Sequence, residues 1–208
     1  MAKRRAVPSG RKSGRRITAT LDAVELARGH DGFLRGKPEP ALLFAAWSVG
    51  PTSARLLGRA LRLLPVRTPF PCTTVPDEAL LLRAASPPGH DRVALLVAAL
   101  EVDAGTDVKW LYAALGDPDS VSVWFEDSPA PDPHGIAEAA RAAPPPGASR
   151  PVRLLRGRVN VEDSCRADQW VGACLLVRPI GSAPTEERLR VVSADRRNDW
   201  TACLRLRT

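Results

Sequence analysis

Ile17, Ala19 and Leu21 alternate with Thr18, Thr20 and Asp22, the two-residue period of a strand with one buried face. The phase then moves so that Val24 and Leu26 become the inward pair, as a bulge permits. Residues 41–49 (ALLFAAWSV) show no alternation and predict a strand covered on both sides. In residues 53–64, Leu56, Leu57, Ala60, Leu61 and Leu64 fall at helical spacing, with Arg55, Arg59 and Arg62 offset from them. A basic amphipathic helix ended by Pro65 is expected there, a strand being the alternative.

Residues 78–84 predict a short strand, and 92–102 (RVALLVAALEV) a central one that ends in Asp103, Ala104 and Gly105, a turn signal. Asp107 is placed to cap a short helix running to Leu115. Val121, Val123 and Phe125 share one face of a further strand. Residues 127–151, rich in Pro, Ala, Ser and Gly, read as an insertion with a turn or two of helix at 136–143. Strands are expected at 152–161, 171–177 and 189–192. In the last one, Trp200, Ala202, Leu204 and Leu206 face away from Thr201, Cys203, Arg205 and Arg207. About eight strands with short polar connections predict a mainly β fold, an antiparallel sandwich with short helical insertions.

Charge divides the chain. Lys3, Arg4, Arg5, Arg11, Lys12, Arg15 and Arg16 stand in the first 16 residues with no acid, and they account for the whole formal charge of +7. Residues 17–208 hold 23 basic and 23 acidic side chains. The expected organisation is therefore a basic, flexible arm over 1–16 and one sandwich domain over 17–208. The arm can touch phosphate or anionic lipid. The neutral body argues against extensive nucleic-acid binding, leaving only the arm for it.

No secretory h-region follows the arm, and the apolar run at 93–102 is about half of a membrane span. Cys72, Cys165, Cys174 and Cys203 have no CxxC pairing, so free thiols and a cytoplasmic location are expected. No GxSxG elbow, phosphate-binding glycine loop or HExxH is present, and the chain reads as non-catalytic.

Carboxylates gather in three loops at strand ends: Asp31 and Glu39; Glu101, Asp103 and Asp107; and Glu162, Asp163 and Asp168, with Asn160 just before them. Calcium takes six to eight oxygens, which flexible acidic loops can supply. Equally, acidic residues at turns cap backbone amides or pair with arginines such as Arg35 and Arg166.

The stretch ITATLDAVELARGHDGFLRGKPEPALLFAAW resembles the first strand and acidic loop of the C2 domains, with Glu39-Pro40-Ala41 where Asp-Pro-Tyr is usual. VNVEDSCRADQWVG resembles the third calcium loop of that family, Asn160 and Glu162 replacing the paired aspartates and Asp168 standing as the last ligand. A second registration puts Glu101 and Asp103 at the paired positions. The resemblance implies a C2-like sandwich contacting a membrane or a protein through its loop end. Its candidate calcium ligands are Asp31, Glu39, Glu101, Asp103, Glu162 and Asp168, and the missing aspartates weaken any dependence on calcium. The alternative is a scaffold that makes protein contacts only.

Overall fold

The computed structural model describes residues 14–29, 39–66, 69–117, 120–128, 133–142 and 149–208. Among them lie thirteen strands and three helices, and all the strand pairings are antiparallel. The mainly β, sandwich-like fold is as expected. The strand count exceeds eight because several pieces are only two to four residues long.

Two sheets face each other. The first holds β1 (Arg16–Arg28) at its centre, paired with β13 (Asp199–Arg207), which pairs in turn with β12 (Thr185–Val192). The other edge of β1 is shared by β5 (Leu80–Ala85) along Arg16–Thr20 and by β4 (Cys72–Thr74) along Val24–Leu26. The phase change read from the sequence is present as a register shift between Leu21 and Ala23 against β13.

The second sheet runs in the order β3 (Ala54–Leu63), β2 (Pro40–Val49), β6 (Arg92–Glu101), β11 (Gln169–Pro179), β9 (Ser149–Arg156), β7 (Ser122–Phe125) and β8 (His134–Gly135), with β10 (Val159–Asn160) off β9. Every residue of β2 is buried, as is all of β6 beyond Arg92, which explains their lack of alternation. Leu42, Phe44, Val93, Leu95, Val97 and Leu176 pack against Ile17, Leu21, Trp200, Leu204 and Leu206 of the first sheet. On the reverse face, Leu43, Trp47, Leu96, Leu100 and Leu175 are covered by α1 (Thr106–Ala114), α2 (Ile136–Ala142) and the curled β7–β9 end.

Residues 53–64 correct the helical expectation: 54–63 of them form β3, an edge strand paired with β2 from Val49↔Ala54 to Ala41↔Leu63. A register shift between Ala46 and Trp47 leaves Leu57 as the extra residue opposite β2. Leu56 and Leu61 therefore join the helix-side core, while Leu57, Ala60 and Leu64 join the core between the sheets. A bulged strand with both faces packed thus gives the leucine spacing of a helix. Residues 152–161 are likewise not one strand: Gly157, at φ 60°, turns β9 into β10, and α3 (Val161–Ser164) follows. At the N-terminal side, Arg16 already pairs with Ala85, so the last residue assigned to the arm belongs to β1. The arm up to residue 13 lies outside the described residues. No helix among the described residues is long and apolar enough to cross a membrane.

β13 lies between β1 and β12, and Trp200, Ala202, Leu204 and Leu206 are at most 2% exposed. Deleting residues 200–206 is expected to abolish cooperative folding, checked by thermal melts and gel filtration. Leu96→Ala, at a fully buried position, should cost about 2–5 kcal/mol in denaturant titrations.

Candidate functional site

The acidic loops do meet at one end of the sandwich. Pro40 pairs with Glu101, the Glu39 carbonyl accepts from the Val102 amide at 3.0 Å, and Gln169 pairs with Glu101 from the other side. Asp31 lies outside the described residues.

What fills that meeting point is a reciprocal tie between Asp107 and Asp168. Asp168 is 3% exposed. Its Oδ1 accepts from the amides of Asp103, Ala104 and Gly105 at 3.0, 2.9 and 2.7 Å, and its Oδ2 from those of Asp107 and Val108 at 2.9 and 3.1 Å. In return, Asp107 Oδ2 accepts from the amides of Arg166, Ala167 and Asp168 at 2.9, 2.8 and 2.9 Å. Asp107 thus sits in the first turn of α1 but ties down the distant loop, whereas Asp168 caps the helix. Gly105, in the left-handed conformation at φ 72°, brings consecutive amides onto one oxygen and has no side chain of its own with which to cap.

These atoms do not fit a calcium site. Both Asp168 oxygens are committed to N–H donors, an environment that attracts anions. The Asp103 contact is made by its amide. The Asn160 side chain accepts from the Glu162 amide at 3.2 Å and so caps α3. Glu101, 4% exposed, accepts from Asn198 Nδ2 at 3.4 Å. Among the described residues no group of three or more His, Cys, Asp or Glu is arranged to hold a metal.

Glu162, Asp168 and Trp170 line a hollow of about 300 Å³ together with Cys165. Burial pushes the Cys165 thiol up to about 12, and the negative charges of Asp107, Asp168 and Glu162 add to this, so it stays a protonated, weak nucleophile.

A second arrangement was not anticipated. On the outer face of the first sheet, Thr18 of β1 is directly opposite Arg83 of β5 on one side and Arg207 of β13 on the other. Thr20, two residues on, is opposite Arg205, and Arg16 precedes Thr18 on the same face. These residues, with Ala79 and Leu80, line an open hollow of about 730 Å³. Arg205 is neutralised in part by Asp22 at 3.0 Å and Glu186 at 3.5 Å. Arg16, Arg83 and Arg207 make no ion pair or side-chain hydrogen bond among the described residues.

The whole-chain charge balance hid this cluster. The sign of it was the polar side of the last strand, where Arg205 and Arg207 alternate with Leu204 and Leu206. Finding Arg83 beside them required the β1–β5 pairing.

Burial alone would push the Asp168 carboxyl up, but the amides of Ala104, Gly105, Val108 and Asp103 outweigh it and hold the carboxyl below its usual range. Its folded-state pKa is depressed, so its stabilisation is fully present above the ordinary carboxylate value of about 4 and is lost as pH falls through the depressed value. Asp168→Ala should cost about 3 kcal/mol near neutral pH, because buried amides lose their acceptor. It should also flatten the fall in stability on the acid side, as read from denaturant midpoints against pH.

Comparison of the chain with protein-family models, with curated proteins and with solved structures finds no match in any of the three.

Proposed function

We propose that this chain is a non-catalytic recruitment module that docks on an anionic membrane surface with the outer face of its first sheet, without calcium. The observation that carries this reading is the arginine-lined hollow, in which three guanidinium groups stand without counter-ions among the described residues. The same strand β1 begins at Arg16, directly after a segment bearing Lys3, Arg4, Arg5, Arg11, Lys12 and Arg15. The arm therefore joins the hollow covalently at Arg16, while pairing of β1 with β5 and β13 brings in Arg83, Arg205 and Arg207.

A membrane suits this region better than a protein partner. Protein interfaces concentrate their affinity in aromatic and other anchor residues set in pockets. Among the described residues the hollow contains no aromatic side chain, and their one large apolar group there, Leu80, is 36% exposed. Affinity summed from many basic groups matches a surface of diffuse negative charge. Calcium is unnecessary because the tie between Asp107 and Asp168 already orders the loop end with protein amides. The loop end, which the resemblance made the contact surface, gives way to the sheet face in this reading.

Co-sedimentation of the full chain with phosphatidylcholine vesicles, with and without phosphatidylglycerol, checks the proposal. Binding should require the anionic lipid, fall steeply with salt and be indifferent to millimolar calcium or a chelator. Each basic residue near such a surface contributes about 1 kcal/mol, so the double variant Arg83→Gln/Arg207→Gln should bind roughly thirtyfold more weakly. Equal binding to neutral vesicles, or calcium-dependent binding, overturns the proposal. Retention on an acidic protein with no vesicle binding would move the function to protein recruitment.

A further inference from the structure

The row Arg83–Thr18–Arg207 has a geometry more specific than general basicity. Adjacent strands lie about 4.8 Å apart, so the backbones of Arg83 and Arg207 stand about 10 Å apart across Thr18. Directly opposed residues of antiparallel strands project from the same face. Two long guanidinium side chains can therefore close over the hydroxyl between them. Arg16, on the same strand as Thr18, offers a third fork from the N-terminal side.

The hydroxyls complete the set. Thr18 makes no side-chain hydrogen bond among the described residues. Thr20 Oγ1 donates to Asp22 Oδ1 at 3.2 Å and keeps its lone pairs for a donor. Arginine forks match the paired oxygens of a tetrahedral oxyanion. A hydroxyl lone pair adds an acceptor for a ligand that carries its own O–H. Near neutral pH a phosphomonoester titrates between one and two negative charges and so has both the oxygens and, in part, the proton. Sulfate and phosphodiesters lack that proton.

We infer that the hollow centred on Thr18 is a phosphate-group site selective for phosphomonoesters, filled either by a lipid headgroup or by a free phosphate compound. The inference rests on the reading that this sheet face is the contact surface. It adds a chemical preference that bulk negative charge does not require. A single guanidinium–phosphate pair would also be met on any basic surface, but a threonine hydroxyl between two such pairs would not contribute there. Thr18→Val is thus the discriminating change: it keeps the β-branched shape and the charge and removes only the hydroxyl.

The full chain is titrated by calorimetry with inorganic phosphate, pyrophosphate and sulfate at constant ionic strength. It is then mixed with phosphatidylcholine vesicles carrying either phosphatidic acid, a monoester, or phosphatidylglycerol, a diester, at matched surface charge. The expected result is binding of phosphate and pyrophosphate at least about fivefold tighter than sulfate, a preference of the size that one ordinary hydrogen bond gives. Thr18→Val should erase most of the preference while leaving vesicle binding through charge, and Arg83→Gln/Arg207→Gln should weaken every arm. Thermal melts confirm that these solvent-facing variants remain folded.

A preference for phosphatidic acid over phosphatidylglycerol names the headgroup as the source. Phosphate selectivity in solution without that preference supports the site and names a soluble phosphomonoester. Equal binding of phosphate and sulfate, with the two anionic vesicles bound alike, overturns the inference while the membrane reading stands. Loss of all anion and vesicle binding overturns both.

Discussion

The two-sided burial of β2 and β6 governs the rest of the architecture. A strand with no exposed face has no water to satisfy its backbone, so its N–H and C=O groups must be paired along both edges. β6 obtains this from β2 and β11, and β2 obtains it from β6 and β3. Both faces must also be covered by apolar side chains. The first sheet supplies one cover and the two longer helices with the curled β7–β9 end supply the other. The first sheet has only its inner face committed to this task. Its outer face is free to carry charge, and the arginine hollow stands there.

The same constraint explains the carboxylate tie. α1 must be held on the second sheet although it is only nine residues long, too short to be stable by itself. Its first turn presents amides that have no partner within the helix. Asp168, delivered by the loop before β11, accepts from these amides and from the turn after β6, so one side chain joins the helix to two neighbouring strands of the sheet. Asp107 returns the bond from the helix to the loop. Asp168 is buried where N–H dipoles converge, and these donors compensate for the desolvation of its carboxylate.

Much of the fold was legible because burial leaves a periodic trace. β1, β13 and the uninterrupted runs of β2 and β6 follow directly from it. β3 was not legible, since a bulge and packing on both faces reproduce helical spacing, and only its partner β2 decides between the two. That the acidic loops stand at strand ends was readable, but their convergence was not, because it depends on the pairing of β6 with β2 and β11. What the carboxylates face was not, because amide donors leave no mark in the side-chain sequence. Asp168 reads equally as a metal ligand and as a helix cap until Gly105 is seen to direct its neighbours inward.

The arginine hollow marks the furthest limit of sequence reading and also its most informative failure. A body of equal positive and negative count gives no net signal, yet pairing on this face is uneven. Toward the β12 side, Arg188 meets Glu25 and Arg190 meets Asp199. Toward β5, Arg16, Arg83 and Arg207 gather around Thr18 without an acid among the described residues. None of the three is directly opposite another, since Thr18 separates Arg83 from Arg207 and Arg16 is opposite Ala85, so the fold tolerates them side by side without acids of its own. The proposed anion contact would therefore fall on the three unpaired arginines, whereas Arg188 and Arg190 beside them already hold acids.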